Sequence, residues 1–304
     1  MSLSWPGSAW PTAEKVRSAH SAAAVLGLHP ADYPRIGPLL PSSGAGHVAF
    51  IRALLEDRAH GAVLVDDLVR PRTALACNAN GFWFALGRPD AAMVDEAVPQ
   101  LLHHSQLRHE PGTLFATSAA WSGALNPLFR HAELRNEYGA PPPRTPLAPF
   151  PAPPAYAVTP LDASLAATLA DRGLDPWVVR IFGGPAGFER RSFGAAVLYR
   201  GRVVAFSAAC AIGGGEAEVE IGTVREHRRR GLAMVAYDAF ARMCERQGLR
   251  PAWSCSAANT PPVQMAAAIG FPLLRTVTGY PVTPGMRRVA GRWENAAPPP
   301  PAGS

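Results

Sequence analysis

The residues best suited to chemistry lie in one stretch, Glu218-Val-Glu-Ile-Gly-Thr-Val-Arg-Glu-His-Arg-Arg-Arg-Gly-Leu-Ala233. Leu232, Val235, Ala236, Ala239, Phe240 and Met243 recur at helical spacing, so an amphipathic helix begins at about Gly231, with Asp238, Arg242, Glu245 and Arg246 on its water-facing side. A helix start leaves its first N–H groups unpaired and carries partial positive charge. Gly231 and Ala233 leave room for an anion to approach, and Arg228, Arg229 and Arg230 add charge around it. A diphosphate is a natural guest for such a junction. The loop has neither the G-x-x-x-x-G-K-[ST] pattern of nucleotide hydrolases nor the G-x-G-x-x-G of dinucleotide binders. Upstream, Glu218 and Glu220 alternate on a strand and share a face. They suit proton transfer if burial raises their pKa, and equally suit a solvated face or pairing with arginines.

Other reactive residue types form no comparable pattern. His103, His104 and His109 are spaced by one and five, which does not set two ligands on one helical face. Cys77, Cys210, Cys244 and Cys255 form no C-x-x-C pair and sit in apolar segments, as buried free thiols do. No metal site is expected. The Arg225–Arg230 run has no interleaved aromatic residues, so phosphate cradling is preferred over a nucleic-acid surface.

The elements that must position these residues are read from periodicity. In the first half, helices are expected near Glu14–Leu26, Gly46–Asp57, Ala91–Leu107 and Ala119–Phe129, with strands at Ala62–Val65, Thr73–Cys77, Phe82–Leu86, Thr113–Ala116 and Ala132–Tyr138. In the second half, strands are expected at Tyr156–Thr159, Ala195–Tyr199, Val203–Ala211, Ala217–Val224, Ala252–Cys255 and Leu273–Tyr280. Helices are expected near Ala163–Arg172, Pro176–Ile181, from about Gly231, and near Pro262–Ile269. The two halves follow a similar order without a strict repeat, which predicts a mixed α/β, α+β-type sheet protein with a duplicated fold.

Residues 141–154, PPPRTPLAPFPAPP, carry eight prolines in fourteen positions and divide the chain almost in half. The expected organisation is a first domain over 1–140, a linker over 141–154, a second domain over 155–285 and a disordered tail over 286–304. The 304 residues are 48% hydrophobic and 17% charged with mean hydropathy +0.01, which excludes a wholly disordered chain. No apolar run reaches the about 18 residues of a membrane span, and the N-terminus has no secretory pattern, so a cytoplasmic protein without a membrane partner is expected. Net charge is +6, carried by 28 Arg and the single Lys15, and spread along the chain, so no nucleic-acid partner is expected. Oligomeric state has no signature in the residues.

Arg228-x-x-Gly231-x-Ala233 is similar to the R/Q-x-x-G-x-G/A acetyl-CoA motif of GNAT N-acetyltransferases. Asn259, eleven residues before Gly270-Phe271, resembles that family's N-x-x-A-x-x-L-Y-x-x-x-G-F segment, with Met265 at the Leu position and Ala266 at the Tyr position. The segments FGAAVLYRGRVVAFSAAC, EVEIGTVREHRRRGLA and LRPAWSCSAAN, with VAFIRALLEDRAHGAVLVDDLVRPRTALACNANGFWFALG earlier, look like a two-domain subfamily whose N-terminal half is a degenerate GNAT-like domain.

The resemblance implies tandem GNAT-like acyl-CoA N-acyltransferase folds. It further implies acetyl-CoA as cosubstrate, a catalytic second half, and acetyl transfer to a primary amine of a small molecule by direct attack. It implies that backbone groups of Thr223 and Val224 hold the pantetheine arm, and that N–H groups from Arg229, Arg230, Gly231, Leu232 and Ala233 hold the diphosphate. Glu220, nearer the splayed strand end, is preferred over Glu218 as the base. With Ala266 in place of the usual tyrosine acid, Ser254, Cys255, Ser256, Tyr237 or water are the remaining proton donors. Asn259 is either a helix cap or a ligand of the cofactor arm. Trp253 reads as core, and Trp177, Phe182 and Phe193 as core or acceptor-pocket walls. The rival readings are a non-catalytic acyl-CoA-binding protein and a nucleic-acid-binding module.

Overall fold

Alternating apolar runs close into strands, and the 3.6-period runs into helices, in a computed structural model that describes residues 25–41, 48–108, 111–141 and 150–295. In chain order these are β1 (Leu26–Gly27), α1 (Val48–Leu55), β2 (Gly61–Val65), β3 (Thr73–Asn78), β4 (Phe82–Gly87), α2 (Ala91–Arg108), β5 (Gly112–Ala116), α3 (Ala119–Leu125) and β6 (Glu133–Tyr138). They continue with β7 (Tyr156–Pro160), α4 (Ala163–Ala166), α5 (Trp177–Arg180), α6 (Pro185–Arg191), β8 (Gly194–Tyr199), β9 (Arg202–Gly213) and β10 (Glu216–Thr223). The last are α7 (Leu232–Arg246), β11 (Arg250–Ser256), α8 (Thr260–Ile269), β12 (Leu273–Val282), β13 (Arg287–Val289) and β14 (Arg292–Glu294). The class is mixed α/β. Among the described residues no helix is long and apolar enough to cross a membrane.

The chain separates into two compact units that interleave along the sequence. Of the described residues, one unit takes 48–60 and 136–275, and the other takes 25–41, 61–135 and 276–295. Helix α1, from the first half of the chain, therefore belongs with the second half. Residues from Thr276 onward belong with the first.

In the unit built around 136–275 the strand order is β7-β8-β9-β10-β11-β6. Strands β7 to β10 are antiparallel, and β11 joins β10 in parallel. Helix α7 lays Tyr237, Phe240 and Cys244 against Ala209, Ala217, Val219 and Trp253 to form the core. Helix α1 approaches β9 so closely that a Cβ at Gly213 would lie 2.3 Å from the backbone nitrogen of Ala53. Only glycine permits that crossing.

In the other unit the order is β1-β2-β3-β4-β5-β12, and α2 packs Met93, Val94, Ala97 and Val98 against Leu75, Trp83 and Leu114. Its strand-to-helix junction, β4 to α2, is closed by a carboxylate: Asp90 Oδ1 accepts from the N–H of Met93 at 2.9 Å.

Several boundaries differ from those read in the sequence. The helix expected at Glu14–Leu26 falls outside the described residues up to 24, and Leu26–Gly27 instead pair with Val65 and Leu64 as a strand. The single helix expected over Ala163–Arg172 is α4 followed by a 3-10 turn, Ala170–Arg172, ending on left-handed Gly173. The 3-10 run Pro30–Leu39 and α6 are additional, their prolines and glycines having masked the helical period. Part of the expected disordered tail is ordered, since β13 and β14 pair as a hairpin. It is tied down by Trp293, whose Nε1 donates to Asp95 Oδ1 at 2.7 Å, and by the Arg130–Glu294 ion pair. Residues 296–304 lie outside the described residues.

Candidate active site

Parallel strands β10 and β11 are paired only from Glu216–Arg250 to Glu218–Ala252, while β10 stays paired with β9 as far as Thr223–Ala205. Past Glu218 the two parallel strands part and leave a V-shaped gap. Val224 donates its N–H to the Val204 carbonyl at 2.9 Å, and its own carbonyl accepts from His227. Residues of an antiparallel ladder alternate between bonded and non-bonded pairs. With Val224 bonded to Val204, the backbone groups of Thr223 and Ile221 point away from β9 toward the gap. The sequence reading named Thr223 and Val224 there; the Val224 N–H is taken by Val204, the Thr223 carbonyl accepts from Arg228 Nε at 3.1 Å, and Ile221, two residues before Thr223, shares its orientation.

Beyond Val224 the chain makes a 3-10 turn, Arg225–His227, and reaches α7 through an extended Arg228 and a left-handed Arg229 (φ 59°). The arginines are anchored from one end. Arg228 Nε donates to the Thr223 carbonyl at 3.1 Å, and Arg230 donates to the Tyr156 hydroxyl at 3.2 Å. That hydroxyl lies 3.0 Å from His227 Nδ1. The rings of Tyr156 and Tyr199 stand 5.8 and 5.1 Å from the His227 ring.

Gly231 takes the N-cap position in the left-handed conformation (φ 76°) with no side-chain cap, and no acidic residue occupies the first turn of α7. The first helical bond is Val235 N–H to the Gly231 carbonyl. Leu232 turns its side chain into the core, Ala233 is half-buried, and Arg228, Arg229 and Arg230 are exposed. This junction therefore differs from the Asp90-capped start of α2: here no carboxylate competes with an incoming anion.

The two glutamates follow from the same alternation. Ala217, Val219 and Ile221 pack toward Tyr237 and Phe240, so Glu218 and Glu220 face the opposite side of the sheet. Glu218 is buried and accepts from Ser254 Oγ at 2.5 Å, while Glu220 is half-buried and nearer the gap. Of the proton-donor candidates, Ser254 is bound to Glu218. Cys255 lies on the other face, in the cluster that holds Tyr138. Burial pushes the Tyr138 phenol above its usual range. Tyr237 is core, edge-on to Trp253 and Phe271 at 6.4 and 5.8 Å. Ala266 is fully buried in the same cluster, a place with no room for a tyrosine ring without repacking.

Asn259 occupies the N-cap position of α8, yet its exposed side chain makes no capping bond, so the capping role expected as one alternative is not realised. Phe193 stacks on Phe240 at 5.4 Å but is half-buried, as is Trp177, while Phe182 meets Phe188 at 6.1 Å and is buried. Asp238, expected on the wet side of α7, is buried beneath Phe150 and Arg242. The four cysteines are free and buried. Among the described residues no group of three His, Cys, Asp or Glu is placed to hold a metal ion.

Comparison with known proteins accounts for this arrangement. The family model for GNAT acetyltransferase matches residues 44–280. A curated relative, the uncharacterized N-acetyltransferase YdfB of Bacillus subtilis (strain 168), is 23% identical over 235 residues, covering 77% of this chain and 88% of that one. Among solved structures, a GCN5-related N-acetyltransferase-like protein from Streptococcus suis aligns with a TM-score of 0.62 at 20% identity, over 82% of this chain and 97% of the other. A tandem GNAT protein from the clavulanic acid biosynthesis pathway aligns with a TM-score of 0.53 at 16% identity, over 77% and 86%. These structural likenesses establish the fold. With the family model spanning most of the sequence, the chain belongs to the GNAT acetyltransferase family and is an acyltransferase.

Proposed function

We propose that the protein transfers the acetyl group of acetyl-CoA to a primary amine of a small molecule, by direct attack and without a covalent enzyme intermediate. The observation that carries this reading is the uncapped, acid-free start of α7 at Gly231, set beside the gap between β10 and β11. Together they offer a diphosphate site and a strand edge for the pantetheine arm. N–H groups from Arg229 to Ala233 hold the diphosphate, with Arg228, Arg229 and Arg230 supplying charge. Backbone groups of Ile221 and Thr223 hold the arm, and the exposed Asn259 side chain is free to assist. By contrast, the junction at Asp90 sets a carboxylate at the helix start, which supports a cofactor-free first half and catalysis in the second half.

In the reaction the amine lone pair attacks the thioester carbonyl, the C–N bond forms, and the C–S bond breaks to release the thiolate. Glu220, directly or through water, accepts the ammonium proton, with Glu218 behind it. Backbone N–H groups at the open edge of β10 are the donors at hand for the oxyanion. Proton return to the thiolate runs through water, since Ala266 brings no hydroxyl.

The test is G231E, combined with turnover of acetyl-CoA against a panel of amines followed by free-thiol release. The substitution adds bulk and a like charge at the diphosphate. It also costs about 1 kcal/mol of backbone strain at the left-handed position. Acetyl-CoA binding is expected to weaken at least 100-fold while circular dichroism and cooperative melting persist. Undiminished affinity would remove the diphosphate from this helix start.

A further inference from the structure

We propose that Phe150, within the proline-rich segment, is a cofactor-binding residue whose ring packs against the nucleotide end of bound coenzyme A. This rests on the placement of the diphosphate at the start of α7. The Phe150 N–H donates to Asp238 Oδ2 at 3.1 Å, and the same oxygen accepts from Arg242 Nε at 3.1 Å. Asp238 is only 7% exposed, so this anchor on the second turn of α7 is fixed from both sides.

The anchor carries the ring over the helix start: Phe150 Cε1 lies 3.8 Å from where a Cβ on Gly231 would stand. Yet Phe150 remains 46% exposed. The backbone bond already holds the segment, and the ring leaves much of its apolar surface uncovered beside three exposed arginines. Apolar aromatic surface next to an anion receptacle suits a ligand that joins phosphate to a planar base. Such a ring stacks on any base through its π-face. A ligand that set only its phosphates here would leave the ring wet.

The experiment compares the full chain with F150A and F150W, using two acetyl donors. One is acetyl-CoA and the other is acetyl-pantetheine, which lacks the nucleotide. In F150A the affinity for acetyl-CoA is expected to fall about tenfold by calorimetry, a typical loss for one aromatic–base stack. The preference for acetyl-CoA over acetyl-pantetheine, read as the ratio of kcat/KM, is expected to fall by the same factor, and F150W is expected to restore both. An equal loss for both donors would overturn the proposal, because it would mark a structural role only. So would unchanged binding, or tighter binding, which would identify the ring as a plug. If the unsubstituted chain binds neither donor, the reading of the helix start fails and this proposal with it.

Discussion

The carboxylates of β10 differ in depth, and under the proposed function that difference orders their roles. Glu218 is buried against the Ser254 hydroxyl, whereas Glu220 stands half-buried and nearer the gap. Replacing the base removes proton transfer and lowers kcat by about 10²–10⁴-fold. E220Q is expected to show that loss in steady-state turnover, and E218Q a smaller one. The reverse order would move the base one turn of the pleat deeper. The arginines also divide at this scale. Arg228 and Arg230 are oriented by Thr223 and Tyr156, while Arg229 holds a left-handed backbone between them. Three identical side chains in a row gave no sign of this division, because it depends on partners 5 and 74 residues away.

At the scale of elements, the gap exists because β11 follows β10 for three residue pairs and then departs. Strand existence and type were largely legible: the six strands expected in the second half fall within two residues of where alternation placed their ends, whereas β13 and β14 were not foreseen. The parting was not, because pairing partners are set by packing above and below the sheet. The crossing of α1 over β9 is another such decision. G213A would drive a methyl into the Arg52–Ala53 peptide, with contacts of 2.3 and 2.6 Å. Such overpacking costs about 1–3 kcal/mol. Urea unfolding of G213A should therefore show a lower midpoint with an unchanged slope. An unaltered midpoint would mean that α1 is not held against β9 as described.

For the molecule as a whole, the thiols report the integrity of both units, with Cys77 in one and Cys210, Cys244 and Cys255 in the other. Burial pushes the Cys244 thiol up to about 12, which leaves it protonated throughout the neutral range. A thiolate is the reactive species. At pH 8 a water-soluble disulfide reagent should label none of the four within minutes on the native chain, and all four in urea. Rapid native labelling of Cys77 alone would show its unit opening independently.

Taken alone, the residues determined the family loop, the amphipathic helix behind it, the alternating glutamates and the free state of the cysteines. Each of these is a local pattern, fixed by spacing along one strand or one helix. Only the tertiary structure decided which backbone groups of β10 face the gap and which serine meets Glu218. It also decided that Asp238 is buried under Phe150, that α1 joins the later unit, and that residues 287–294 form a hairpin rather than a tail. The reason is common to all of them: these are contacts between segments distant in sequence. They are settled by which surfaces exclude water together, and a one-dimensional period carries no record of its partner.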